Sequence, residues 1–427
     1  MSLSDSYDRL VLWEGETQQH QFSETGEEEE EVSLLQVDEH LSAGDILNRI
    51  ELVVGQLVED IATSEAPPTL QMASRAKRHI VCRDEGPSAF EYGCTEAGIQ
   101  VTNDPWINRS RQAVVLGLQD RVQTRCLFSN QAAGAFPFAR MFRVLEVVHE
   151  LLRSGRQATQ RDIYYKLSGP PLFNSVRDVI SAIQDVVALL RVPRSLLGIC
   201  CSSRGAVSGK LYIKDGPMNP WQDCCAAGME GRSISGNILS IQSLIFRCTA
   251  EYLLIIEKDA IFQALNQDRF FDQLPCVLVT AKGMPDLATR AFCSKLMDSF
   301  PHLTVLGLVD WNPAGVAILC TYKYGSTQSL EGNRYTLPSL AWLGLRSNLL
   351  TTTSRENFQA LNVRDRAQAT GLMTKLQMLR EEAWCHELKL MESTGLKADI
   401  EAIYDGPFGM AGLTNIISSA IMRREFV

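Results

Sequence analysis

The stretch YLLIIEKD, residues 252–259, decides how the chain folds. Five apolar, β-rich residues, Tyr252 to Ile256, break off abruptly into Glu257, Lys258 and Asp259. Two later runs have the same form: CVLVTAKG at 276–283 and TVLGLVDWNP at 304–313. Amphipathic stretches such as residues 286–300 lie between them. Strand alternating with helix predicts a parallel α/β sheet over about 232–330. In such sheets the residues that bind ligands sit just beyond the C-terminal ends of strands. Glu257 and Asp310 both fall there, and Lys282-Gly283 ends the middle run.

Upstream, residues 135–215 read differently, as helix, turn, helix, helix and β-hairpin. Phe138, Met141, Phe142, Leu145, Val148 and Leu152 recur at helical spacing, and Gly155 closes that helix. Thr159 caps the next helix, with Asp162 in the capping-box position. Asn174 is placed to cap a third, with Val176, Val179, Ile180, Ile183, Val187 and Leu190 inward; Pro193 ends it. Residues 196–213 alternate around Gly205 and Gly209 as a hairpin would. That order matches a winged helix-turn-helix domain, which commonly binds duplex DNA. The segment holds 12 Lys/Arg against 6 Asp/Glu, a balance suited to phosphates. Arg204 and Lys210 within it, with Lys282 beyond it, are candidate DNA contacts.

The net charge of −9 looks wrong for a DNA-binding chain of 427 residues until it is divided. Residues 1–70 carry 17 Asp/Glu and 2 Lys/Arg, which leaves the remainder at +6. The first 70 residues therefore read as an acidic, mostly disordered tail, with five glutamates in a row at 27–31. Ile46, Ile50, Val53, Val54 and Leu57 form an amphipathic helical stripe, which either docks a partner or opens the folded part. Residues 71–134 read as a linker with some helix, and 75–79 are a basic cluster that is either an import signal or an ordinary charged run. Residues 331–427 read as mainly helical. The twelve cysteines show no zinc spacing, and Cys276 and Cys320 lie inside apolar runs as small core residues. Together with the lack of a cleavable leader or membrane-length apolar run, this places the chain in the cytosol or nucleus.

Three elements carry chemistry. Arg161-Asp162-Ile163-Tyr164-Tyr165 puts Arg161 and Tyr165 four apart, on one helix face. A guanidinium beside a phenol favours the phenolate and offers donors to a phosphate. Tyr164 points about a hundred degrees away, toward the Ile163 and Leu167 side, and reads as core. Two helical tyrosines are more often packing than chemistry, but a DNA-binding context favours Tyr165 as a nucleophile. Glu257 and Asp310 either cap the following helices or, at two strand ends of one sheet, hold Mg²⁺ through oxygen. A phenol nucleophile with a cation-holding carboxylate pair points to cleavage of DNA by tyrosine attack on a phosphodiester.

The combination RDIYY, LLIIEKDAIF, VTAKGMPD and LVDWNPAGVAILCTYKYGS resembles the A subunits of topoisomerase VI. It resembles more closely their eukaryotic meiotic branch, whose members make the double-strand breaks that start recombination. The resemblance runs from about residue 138 to 350. It implies an α/β multidomain fold: a winged helix-turn-helix domain with Tyr165 as catalytic tyrosine and Arg161 beside it, then a Toprim-like parallel α/β domain, then a helical C-terminal extension at 331–427 completing the Toprim half. It implies a type IIB topoisomerase-like transesterase with Mg²⁺ held by Glu257 and Asp310. It further implies double-stranded DNA as substrate, a homodimer or a pairing with a related A-type chain, a topoisomerase VI B-like partner, no membrane, and a place in the nucleus on chromosomes. A somatic resealing enzyme and an inactive DNA-binding scaffold are the alternatives. The family shows Asp-x-Asp after the last strand; this chain shows Asp310-Trp311-Asn312, so Asn312 would bring a carbonyl oxygen but no charge.

Overall fold

In the computed structural model of the protein, residues 38, 40–63, 68–74, 122–126, 132–326, 330–348, 350, 353–405 and 411–427 are described. The glutamate run at 27–31 and the basic cluster at 75–79 lie outside the described residues.

A six-stranded sheet carries the larger core. Its order is Ala341–Gly344, Thr304–Leu308, Tyr252–Ile256, Cys276–Thr280, Ala206–Gly209, Arg232–Ser233. The first four strands run parallel, and the last two join antiparallel. Strands 252–256 and 276–280 are apolar almost throughout because helices cover both faces of a parallel sheet. Ile256 lies level with both Thr280 and Leu308, so the chain leaves three adjacent strands at one edge. The 252–256 strand has later strands on both sides, which makes its C-terminal end a topological switch point, the place where such sheets bind ligands. Cys276 and Cys320 are buried in this core as expected.

The smaller core is helical. Helix Ala132–Ser154 buries Phe138, Met141, Leu145 and Val148, and Gly155 ends it at φ 64°. Helix Gln160–Leu167 begins with the expected capping box: Asp162 N–H donates to Thr159 Oγ1, and Thr159 N–H donates to Asp162 Oδ2. Helix Val176–Leu190 is capped by Ser175 rather than Asn174, and Ile180 is 38% exposed instead of inward.

Four sequence expectations change. The hairpin at 196–213 is not formed: Ala206–Gly209 pairs with Cys276–Thr280, and Leu211–Asp215 pairs with Gln222–Asp223 and Leu244–Cys248. Only Ile199–Cys200 stays with the helical unit, pairing with Ala158–Thr159, so the boundary at 215 moves back to about 200. The tail does not extend to 70. Helix Ala43–Thr63 packs Ile46, Ile50 and Leu57 into the smaller core, and Thr69–Ala73 pairs with Val122–Cys126, giving strand inside the expected 71–134 linker. Finally, 331–427 is mixed: Ala341–Gly344 is a strand of the main sheet, and Phe358–Ala360 pairs with Leu396–Ala398.

The two cores are joined by a buried ion pair. Arg194 Nε lies 2.9 Å from Glu331 Oε2, and Glu331 is fully buried. Burial opposes the Arg194 charge, yet Glu331, aided by Cys201 and Asp286, more than offsets it and the guanidinium pKa is raised. No helix among the described residues is long and apolar enough to cross a membrane.

Candidate active site

Residues just past three strand ends build the crevice at the switch point. Glu257 and Asp310 are brought together: Asp310 N–H donates to Glu257 Oε2 at 2.9 Å. Both carboxyls are largely shielded from water. Burial, then the charges of Asp399 and Glu401, raise the Glu257 pKa against the Asp310 N–H bond that lowers it. Burial first, and the Glu257 charge second, push Asp310 up to about 7. Two oxygen-only groups that resist carrying negative charge together form a site that a hard cation would relieve.

Asp310 is also tied to the C-terminal segment. Trp311 N–H and C=O pair with Ala398, and Trp311 Nε1 donates to buried Glu387 at 2.7 Å. This bridge brings residues 398–401 against the crevice, where Ile400 N–H donates to Asp310 Oδ1 at 2.8 Å. Lys258 lies among three carboxylates: Asp310 at 3.2 Å, Glu401 at 2.5 Å and Asp399 at 4.0 Å. The sequence reading missed Lys258, Asp399 and Glu401. The acidic pair in LKADIE was visible, but nothing local says that this segment reaches a strand end some ninety residues away.

Asn312 does something else. Its side-chain oxygen accepts from Gly315 N–H at 2.8 Å and caps helix Pro313–Tyr324. That oxygen is committed to the helix, so the candidate cation site rests on Glu257 and Asp310. Among the described residues no three or more His, Cys, Asp or Glu side chains group as a metal cage. A two-carboxylate site still fits Mg²⁺, which takes oxygen ligands and keeps several of its waters.

Of the candidate DNA contacts, Lys282 and Arg204 come together at the same edge. The Arg204 guanidinium donates to the Lys282 carbonyl at 3.2 Å, and Lys282 Nζ lies 3.1 Å from Asp259. Lys282 sits at φ 56° and Gly283 at φ 105°, the turn that the sequence suggested. Lys210 is separated from them. It follows the far end of its strand, paired with Asp272 at 2.6 Å, because Gly209 lies opposite Val277 while Ala206 lies opposite Thr280.

The tyrosine pair divides as the helical geometry requires. Tyr165 is 72% exposed, whereas Tyr164 packs against the smaller core beside buried Ile163. Arg161 is exposed one turn earlier. Among the described residues no hydrogen bond or ion pair joins this helix to Glu257 or Asp310.

The Toprim domain shared by the topoisomerase 6 A subunit and Spo11 matches residues 252–411, and the Type IIB DNA topoisomerase family matches 137–199. Meiotic recombination protein SPO11-2 of Oryza sativa subsp. japonica is 36% identical over 412 residues, covering 92% of this chain and 98% of that protein. The chain belongs to the family of Spo11 and the topoisomerase VI A subunits. Within that family, Meiotic recombination protein SPO11 of Mus musculus is 31% identical over 85% of this chain and 84% of its own length. The DNA topoisomerase 6 A subunit of Arabidopsis thaliana is 32% identical over 64% of this chain and 63% of its own length. The matched ranges fall on the two cores, and the intervening 200–251 hold the main-sheet strands Ala206–Gly209 and Arg232–Ser233 and the three-stranded sheet.

Proposed function

We propose that this chain makes the double-strand breaks that start meiotic recombination, by tyrosine transesterification on duplex DNA. The observation that carries the reading is the split of the tyrosine pair, Tyr165 exposed at the surface and Tyr164 half-buried against the smaller core. The greater reach of the likeness to meiotic relatives than to the topoisomerase 6 relative favours this over a somatic resealing enzyme. Nothing in the site requires a scaffold reading, because Asn312 has a structural task as a helix cap.

In the reaction Tyr165 Oη gives up its proton and attacks a backbone phosphorus. The P–O bond to the 3′ oxygen breaks, the 3′ side leaves as a hydroxyl after taking a proton, and Tyr165 keeps the 5′-phosphate as a phosphodiester. No bond energy is lost, so no nucleotide need be consumed for cleavage. Arg161, four residues before Tyr165, is placed to hold a phosphate oxygen and favour the phenolate. Lys282 and Arg204 supply positive charge at the crevice edge. Glu257 and Asp310 would hold Mg²⁺, which when bound supplies positive charge against the developing charge on phosphate and the leaving oxygen. The helical unit acts as a winged-helix-type DNA-binding domain without its expected hairpin. As the family resemblance implies, the reading pairs the tyrosine of one copy with the Glu257–Asp310 site of a second. A topoisomerase VI B-like partner and a nuclear, chromosomal location complete it.

The test is covalent DNA attachment in meiotic cells. Tyr165→Phe should abolish it while leaving folding and DNA binding nearly intact, since the ring stays and an exposed hydroxyl goes. Tyr164→Phe should retain substantial attachment. The reverse pattern would overturn the choice of nucleophile, and attachment surviving both changes would overturn the mechanism.

A further inference from the structure

Lys258 stands where the proposed cation chemistry is decided. Its backbone is fixed by the end of strand Tyr252–Ile256 and by its place as N-cap residue of helix Asp259–Gln267, with no side-chain cap of its own. The side chain is 26% exposed and turns toward carboxylates from two parts of the chain. Asp310 comes from the neighbouring strand end, and Asp399 and Glu401 come from the segment that the Trp311–Ala398 bridge holds in place. The Asp310 Oδ1 atom that meets Lys258 also accepts the Ile400 N–H, so the ammonium and the C-terminal segment converge on one oxygen.

An ammonium at 3.2 Å from Asp310 and a divalent cation on the same carboxylate repel each other. Glu401, already at 2.5 Å from the ammonium, and Asp399 at 4.0 Å offer Lys258 a second berth in contact with the first. We propose that Lys258 is a resident counter-ion that competes with the divalent cation for Asp310, and that Asp399 and Glu401 hold it when it withdraws. Lys258 is thus a positioning residue that sets how much Mg²⁺ the site demands, rather than a group that touches the reacting phosphate. The inference rests on the reading of Glu257 and Asp310 as the cation site.

Opposite signs make it testable. The measurement is Mg²⁺ binding by calorimetry to the full chain without DNA, with Mn²⁺ titrated by electron paramagnetic resonance as a second readout. Lys258→Met removes the competitor from Asp310 and leaves Glu257 and Asp310 to the cation, so affinity should tighten about tenfold. The double change Asp399→Asn with Glu401→Gln removes the berth, leaves Lys258 on Asp310, and should weaken affinity several-fold. Lys258→Arg keeps a cation there and should not tighten binding. Asp310→Asn serves as reference and should abolish binding. If Asp310→Asn leaves binding intact, the cation-site reading fails and the inference falls with it. If it abolishes binding while Lys258→Met leaves affinity unchanged or weaker, only the inference fails. Tighter binding in the Asp399→Asn, Glu401→Gln protein would refute the berth directly and does not depend on how Lys258→Met folds.

Discussion

Asp310→Asn should stabilise the metal-free protein at alkaline pH while destroying its cation site. The folded protein raises the Asp310 pKa from 3.8 to about 7. Between those values the native state holds a proton that the unfolded chain releases, so this group's contribution to stability falls as pH rises from about 4 through about 7. That rise in pKa corresponds to a ceiling of about 4 kcal/mol at about pH 8. The side chain is 6% exposed, so solvent discounts this little. An amide oxygen can keep the Ile400 N–H bond, but the new NH₂ group lacks a matched acceptor, at a cost of about 1–3 kcal/mol. The expected net gain is about 2 kcal/mol at about pH 8, falling to zero at about pH 5 and becoming a loss of about 1–3 kcal/mol near pH 4 and below. The assay is urea unfolding of the full chain in a chelator across that pH range, repeated with Mg²⁺. Wild type should gain stability from Mg²⁺ and the variant should not. A variant less stable than wild type at about pH 8 in chelator, or a gain independent of pH, would refute the account of Asp310 as a carboxylate held against its charge.

The packing sets three more outcomes. Deleting residues 1–37 removes ten Asp/Glu and should leave DNA binding unchanged or stronger; deleting 1–70 also strips Ile46, Ile50 and Leu57 from the smaller core, at about 1.5–3 kcal/mol each, and should leave a poorly soluble chain in a sedimentation assay. Asn312→Ala should lower stability by about 1 kcal/mol through loss of the helix cap, while Asn312→Asp keeps the cap and stays near wild type; equal losses in thermal unfolding would contradict the cap. Glu331→Gln should cost about 3–5 kcal/mol in denaturant unfolding, because it leaves buried Arg194 without its counter-charge; a loss below about 1 kcal/mol would show that water or another group compensates.

The features that the sequence decided by itself are those whose cause is local. A run of apolar residues ending at Glu257 or Asp310 can satisfy burial in few other ways than as a strand of a covered sheet, and it fixes which end faces the crevice. The fate of the two tyrosines follows from helical rotation alone, once Ile163 is known to face inward. Thr159 and Asp162 cap their helix because both partners lie within four residues. Pairing across the chain was decided elsewhere. A strand has hydrogen-bonding groups on both edges, and its alternation is equally content with any neighbour, so nothing in residues 206–209 distinguishes a hairpin from a seat beside Cys276–Thr280. That choice carried Lys210 to the far end of the sheet and left Arg204 at the near one. In the same way the Ile46 stripe shows an apolar face but not what covers it, and Asn312 shows an oxygen but not whether a helix or a cation receives it. Lys258, Asp399 and Glu401 became one cluster only when Trp311 met Ala398, a contact between segments whose local patterns make no reference to each other.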